Sequence, residues 1–187
     1  YRRDQTAGEA RALYNDLTRL LGPGRVFMDV DDIALGIDFR DVLRQRVEEC
    51  ELMLVLIGRG WADAHDADGR RRLGQSDDFV RLEIATALER KIPITPVLLQ
   101  NARMPTADTL PDELKPLAFR NGFGVAHATW ESNVKELVRR LKLVPPEFGV
   151  ASKAPLAIGA GVVVVAGAVA AWLMTRPDAP PPQELPT

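Results

Sequence analysis

SDDFVRLEIATALERKIPITPVLL, residues 76–99, reads as a capped helix feeding a buried strand. Ser76 is placed to cap the helix, and Asp77 and Asp78 fall in its first turn, where the helix dipole favours anions. Val80, Ile84 and Leu88 recur every fourth residue and mark one face. Pro93 ends the helix, and Ile94 to Leu99 form an apolar run of strand length. Glu83 interrupts the pattern. It lies between Leu82 and Ile84, one turn after Phe79, at the edge of the apolar face. A carboxylate there is either a solvated flank charge or a site group. Spacing alone favours the flank, because charged side chains are mostly exposed.

On the N-terminal side, Thr6 and Glu9 form a T-x-x-E capping box, and Ala10, Leu13, Leu17, Leu20 and Leu21 supply an apolar stripe. Gly22-Pro23-Gly24 stops this first helix. Residues 25–29, RVFMD, are a short strand candidate, followed by an acidic turn over 30–36. Asp38 is positioned to cap a second helix running to about Glu49, with Phe39, Val42, Leu43 and Val47 inward. LMLVLI, residues 52–57, is a continuous apolar run, the pattern of a strand covered on both faces. On the C-terminal side, Pro105, Pro111 and Pro116 predict loop with short helical turns over 101–121. A weak strand follows at 124–128, and Val134, Leu137, Val138 and Leu141 define a last amphipathic helix. Helices alternating with short apolar strands imply an α/β fold with a parallel sheet.

The whole chain narrows the chemistry. Its 187 residues suit one ordinary domain plus an appendage, and a formal net charge of −2 offers no footprint for nucleic acid. Cys50 is the single cysteine, so no internal disulfide framework exists. Cys50 ends a helix beside a buried strand, which reads as a core thiol. His65 and His127 cannot make a His-rich metal site. Residues 63–69 fail the calcium-loop template, because with Gly69 as the turn glycine the first ligand is Ala64 and the last Gln75. No Walker A motif is present, and every G-x-G (Gly22 with Gly24, Gly58 with Gly60, Gly122 with Gly124, and Gly159 with Gly161 in the apolar run) lacks the third glycine. Arg70-Arg71-Arg72 reads as a solvated charge run, with phosphate contact as the alternative, and Trp61 as a loop anchor or a ligand contact. The chain opens on Tyr1, inside a region whose pattern reads as structured, which is the expectation for a fragment.

After Pro145-Pro146 the composition changes. Residues 154–175 contain no charge and are rich in valine and alanine. As a helix, some twenty such residues span roughly 30 Å of hydrocarbon, and no polar face remains for solvent. The expected organisation is therefore a domain over 1–143, a linker over 144–153, a single transmembrane helix over 154–175 and a Pro-rich tail over 176–187. Arg139, Arg140, Lys142 and Lys153 precede the span and only Arg176 follows, so the domain is expected on the cytoplasmic side and the tail outside. Ala157 and Gly161 form a small-xxx-small pair suited to helix pairing.

Taken in order, these segments resemble a bacterial Toll/interleukin-1 receptor (TIR) domain. The resemblance covers 1–143 and rests on Tyr1-Arg2-Arg3, Val26-Phe27-Met28-Asp29, Asp32-Ile33-Ala34-Leu35-Gly36 and Leu54-Val55-Leu56-Ile57. Asp78-Phe79-Val80-Arg81-Leu82-Glu83-Ile84, Ala87-Leu88 and Pro96-Val97 complete it. It implies a flavodoxin-like parallel sheet of order 2-1-3-4-5 with helices on both faces. The family's first strand would end at about Tyr1, so the central strand is expected to be missing and strand edges exposed.

The resemblance also implies chemistry. Several TIR domains cleave the nicotinamide–ribose bond of NAD, giving linear or cyclic ADP-ribose, and the family's essential glutamate falls on Glu83. That match reverses the preference from spacing. NAD is then a substrate, and no cofactor or metal is implied. By the same resemblance, Phe79 stacks on a ring, Tyr1 and Arg3 border the nucleotide, and the loop with Asp32, Leu35 and Gly36 gates the pocket and makes TIR–TIR contacts. The implied function is a membrane-anchored effector that hydrolyses NAD when its domains assemble. The alternatives are a non-catalytic adaptor acting through TIR–TIR contacts, and a nucleotide-binding sensor that does not react.

Overall fold

The computed structural model describes residues 1–28 and 50–143, with Arg3 by its backbone alone, and the backbone of Val163–Val165. Ala10, Leu13, Leu17 and Leu21 are buried together on one face of the first helix, α1 (Arg3–Leu21). This helix begins three residues before the expected cap. It is kinked at Thr6 (φ −136°, ψ 25°), whose hydroxyl donates to the carbonyl of Arg2 at 3.2 Å. Glu9 is engaged elsewhere, accepting from Gln100 Nε2 at 2.7 Å. Gly22 closes α1 with φ 96°, a conformation that favours glycine, and its N–H donates to Thr18.

The expected strand at 25–29 narrows to β1 (Val26–Phe27), and the expected helix from Asp38 lies outside the described residues. All six residues of β2 (Leu52–Ile57) are buried, as a continuous apolar run requires. The second helix described, α2 (Phe79–Glu89), starts later than the sequence implied. Asp78 caps it rather than Ser76, accepting the N–H of Arg81 at 2.9 Å. The backbone of Asp78 is extended (φ −67°, ψ 118°), which places it outside the helix. The strand β3 (Ile94–Leu98) follows closely on Pro93 as expected.

Residues 101–121 form loop with 3-10 turns at Ala107–Thr109 and Asp112–Phe119, and the second turn packs on α2 through Leu114 and Leu117. The expected strand at 124–128 is replaced by a shorter one, β4 (Phe123–Gly124). Asn133 explains the difference. Its side-chain oxygen accepts from the Ala126 N–H and the Thr129 hydroxyl, drawing 126–129 into the approach to α3 (Trp130–Arg140). Val134, Leu137 and Val138 of α3 are buried.

The sheet is parallel throughout, in the order β1-β5-β2-β3-β4, where β5 is Val163–Val165. Leu52, Leu54 and Leu56 join α1 and α3 in one core, whereas Met53, Val55 and Ile57 join α2 and the 3-10 segment in the other. Helices therefore cover both faces, a direct consequence of side chains alternating along β2.

The place of β5 departs from expectation. The slot beside β2 is not empty: Leu52, Met53 and Leu54 pair with Val163, Val164 and Val165, and β1 joins the sheet through this strand. Three residues at the middle of the expected transmembrane helix are thus extended. A run of β-branched valines suits a slot flanked by a strand on each side. The rest of 154–175 lies outside the described residues, as do the linker and the tail. No helix among the described residues is long and apolar enough to cross a membrane.

Candidate functional site

Arg2 and the start of α2 meet in the interior. Arg2 is 1% exposed, and its guanidinium donates from Nη1 to Asp78 Oδ2 at 2.7 Å and from Nη2 to Oδ1 at 3.3 Å. Arg72 Nε approaches the same carboxylate at 3.8 Å and reaches Asp4 of α1 at 3.5 Å through Nη1. One buried carboxylate thus ties together the chain start, the loop before α2 and the first turn of α2.

From this cap the helix presents Phe79, Val80, Glu83, Ile84 and Ala87 inward. Glu83 is 3% exposed, so it is not a solvated flank charge. Phe79 and Glu83 are four residues apart and stand on successive turns of one side. A carboxylate so placed acts through a medium of lower effective dielectric than water, where its field on a cation is stronger. The arrangement offers one acid group beside one aromatic ring.

The other expected site residues divide. Tyr1 is buried in the core shared by α1 and α3. Arg3 opens α1, with its side chain outside the description. Asp32, Leu35 and Gly36 lie outside the described residues. The expectation missed Arg2 and the role of Asp78. Opposite charges at the two positions were the available signal, but nothing in the spacing pairs residues so far apart.

The arginine run is engaged with the protein. Arg70 pairs with Asp66 and Asp68, Arg71 donates to the carbonyls of Ala62 and Thr109, and Arg72 faces Asp4 and Asp78. Asp66 organises the loop. It accepts from the N–H groups of Asp68 and Arg70 and from the side chains of Arg70 and Gln75. The Arg70 N–H, foremost, holds its carboxyl below the usual range. Among the described residues, no cluster of His, Cys, Asp and Glu could hold a metal ion. The Cys50 thiol is buried and donates to the carbonyl of Leu52, as a core thiol does.

A basin of about 390 Å³ opens outside the carboxyl ends of β2 and β3, where open parallel sheets bind ligands. Arg59, Trp61, Asn101, Arg103 and Met104 help to line it, and Glu83 does not. Trp61 is 1% exposed and packs in the core beneath α2, which makes it a loop anchor at the basin wall.

No protein-family profile matches the chain. No curated protein matches it significantly.

Proposed function

We propose that this chain is a TIR-type NAD glycohydrolase in which Glu83 is the catalytic carboxylate. The observation supporting this reading is the burial of Glu83 at 3% exposure, one turn beyond Phe79 on α2. Nicotinamide leaves NAD as a neutral molecule from a cationic ring, so no acid need protonate it. The barrier lies in positive charge developing on the ribose, as in glycoside hydrolysis. An ionised Glu83 stabilises that charge and orients the ribose hydroxyls. Phe79 supplies a stacking surface. Arg3 and the loop carrying Asp32, Leu35 and Gly36 complete the pocket in this reading, within a flavodoxin-like TIR fold. Water then captures the ribosyl cation to give ADP-ribose, or an intramolecular nucleophile gives a cyclic product.

We also propose that residues 154–175 anchor the chain in a membrane with the domain on the cytoplasmic side, and that assembly through TIR–TIR contacts raises activity. Membrane insertion and the β5 pairing are exclusive for Val163–Val165, so an anchored chain has released this strand from the sheet.

The test is incubation of the full chain with NAD, in solution and clustered on a surface, with nicotinamide measured by chromatography. Release that increases with clustering is expected. No release in either state overturns the enzymatic reading and favours an adaptor.

A further inference from the structure

We infer that the buried Arg2–Asp78 pair is a positioning device that sets the alignment of α2 and thereby the place of Glu83; this rests on the catalytic reading of Glu83. Three observations lead there.

The first is that capping alone does not require the pair. The cap needs one oxygen of Asp78 to accept the Arg81 N–H at 2.9 Å, and an asparagine supplies such an oxygen equally well. A full negative charge is needed for Arg2, whose side chain is 1% exposed beside an Asp78 side chain 4% exposed. Charges are costly to remove from water, and a helix cap is obtained more simply without them.

The second is that Arg2 is itself held. Its carbonyl accepts from the N–H groups of Gln5 and Thr6 at 3.0 and 2.9 Å and from the Thr6 hydroxyl at 3.2 Å. The guanidinium therefore projects from a backbone locked by the first turns of α1. Planar two-point contact with a carboxylate fixes direction as well as distance. Arg72 adds a second cation on that carboxylate and a link to Asp4 on α1.

The third is the lever. Glu83 lies five residues beyond Asp78, or roughly 7.5 Å along the helix axis at 1.5 Å per residue. A tilt or slide of α2 at its cap carries Glu83 with it. An error of about 1 Å at a reacting centre typically costs on the order of a hundredfold in rate.

The decisive comparison uses the full chain and two variants. Asp78→Asn keeps the cap and removes the charge facing Arg2. Arg2→Met combined with Asp78→Asn removes both charges, so no unpaired cation is buried and folding is protected. For the double variant we expect kcat for nicotinamide release to fall about a hundredfold, KM to change by about twofold or less, and melting to stay cooperative. Amide exchange of residues 79–83, read by mass spectrometry, should accelerate about tenfold while β2 and β3 stay protected. Parental kcat with parental exchange at 79–83 overturns the inference. So does exchange that rises evenly across the domain, which marks a structural role alone. If the parent releases no nicotinamide, the catalytic reading fails, and the positioning inference fails with it as a statement about Glu83. Local exchange at 79–83 then still reports whether the pair aligns α2.

Discussion

Arg2 and Asp78 stand 76 residues apart in the chain and meet as a buried ion pair at 2.7 Å. Asp78 serves Arg2 and the α2 cap at once, so two substitutions there should separate the roles. Asp78→Ala loses the cap, worth about 1 kcal/mol, and strands a buried guanidinium, worth about 3–5 kcal/mol. Asp78→Asn should cost less, because it restores the cap. Urea denaturation of both variants checks the order, and equal midpoints for Asp78→Ala and the parent would refute it.

Glu83→Gln retains the volume of the side chain and removes its charge. If the chain cleaves NAD as proposed, cleavage should fall by on the order of a hundredfold or more, the usual loss for one electrostatic contact to a transition state. Circular dichroism and melting should show a folded protein. Parental turnover by the variant would remove Glu83 from the chemistry.

Gly58 follows β2 immediately and lies against Thr6 at the α1 kink. A Cβ on Gly58 would run into Thr6 Cγ2, and Gln100 Oε1 would lie 3.4 Å away. Gly58→Ala should therefore destabilise by about 1–3 kcal/mol, the range for overpacking. Thr6→Ser deletes the obstructing methyl and should recover much of that loss in the double variant. Additive losses in a double-mutant cycle would contradict the contact.

Leu54 and Val165 are partners across the β2–β5 pair. With Cys50 replaced by serine, cysteines at these two positions should crosslink in chains whose 163–165 segment lies in the sheet. Under the proposed membrane anchoring, chains inserted in a bilayer should escape crosslinking. Disulfide yield and recovery in the membrane pellet are expected to move in opposite directions, and high values of both together would contradict their exclusivity.

Glu136 accepts from Arg139 and Arg140 at 2.6 to 2.7 Å on the exposed side of α3, and these bonds, Arg139 first, lower its pKa from 4.5 to about 2. A depressed folded-state pKa adds stability above the unfolded value that is lost as pH falls towards the folded one. Glu136→Gln should thus melt slightly below the parent at neutral pH, with the gap closing between pH 4.5 and 2. Salt should shrink the gap as well, since the group is at the surface. A gap that widens on acidification would contradict this assignment.

What the sequence determined by itself was the set of elements with a strong local period. The stripe of Leu13, Leu17 and Leu21 marked α1, the unbroken LMLVLI run marked β2, and Val134, Leu137 and Val138 marked α3. Such patterns are legible because burial on one face or on both leaves a repeat in the chain itself. The resemblance to TIR domains singled out Glu83 and Phe79 in the same way, through nearby residues in order. Tertiary structure alone decided that Glu83 is buried, that Asp78 rather than Ser76 caps α2, and that Arg2 is the partner of Asp78. It also decided that three valines of a run long enough for a membrane helix pair beside β2. The reason is common to all four. An apolar run or a charge states what a residue needs, whereas the residue that meets the need is chosen by packing between segments far apart in the chain, which no local period records.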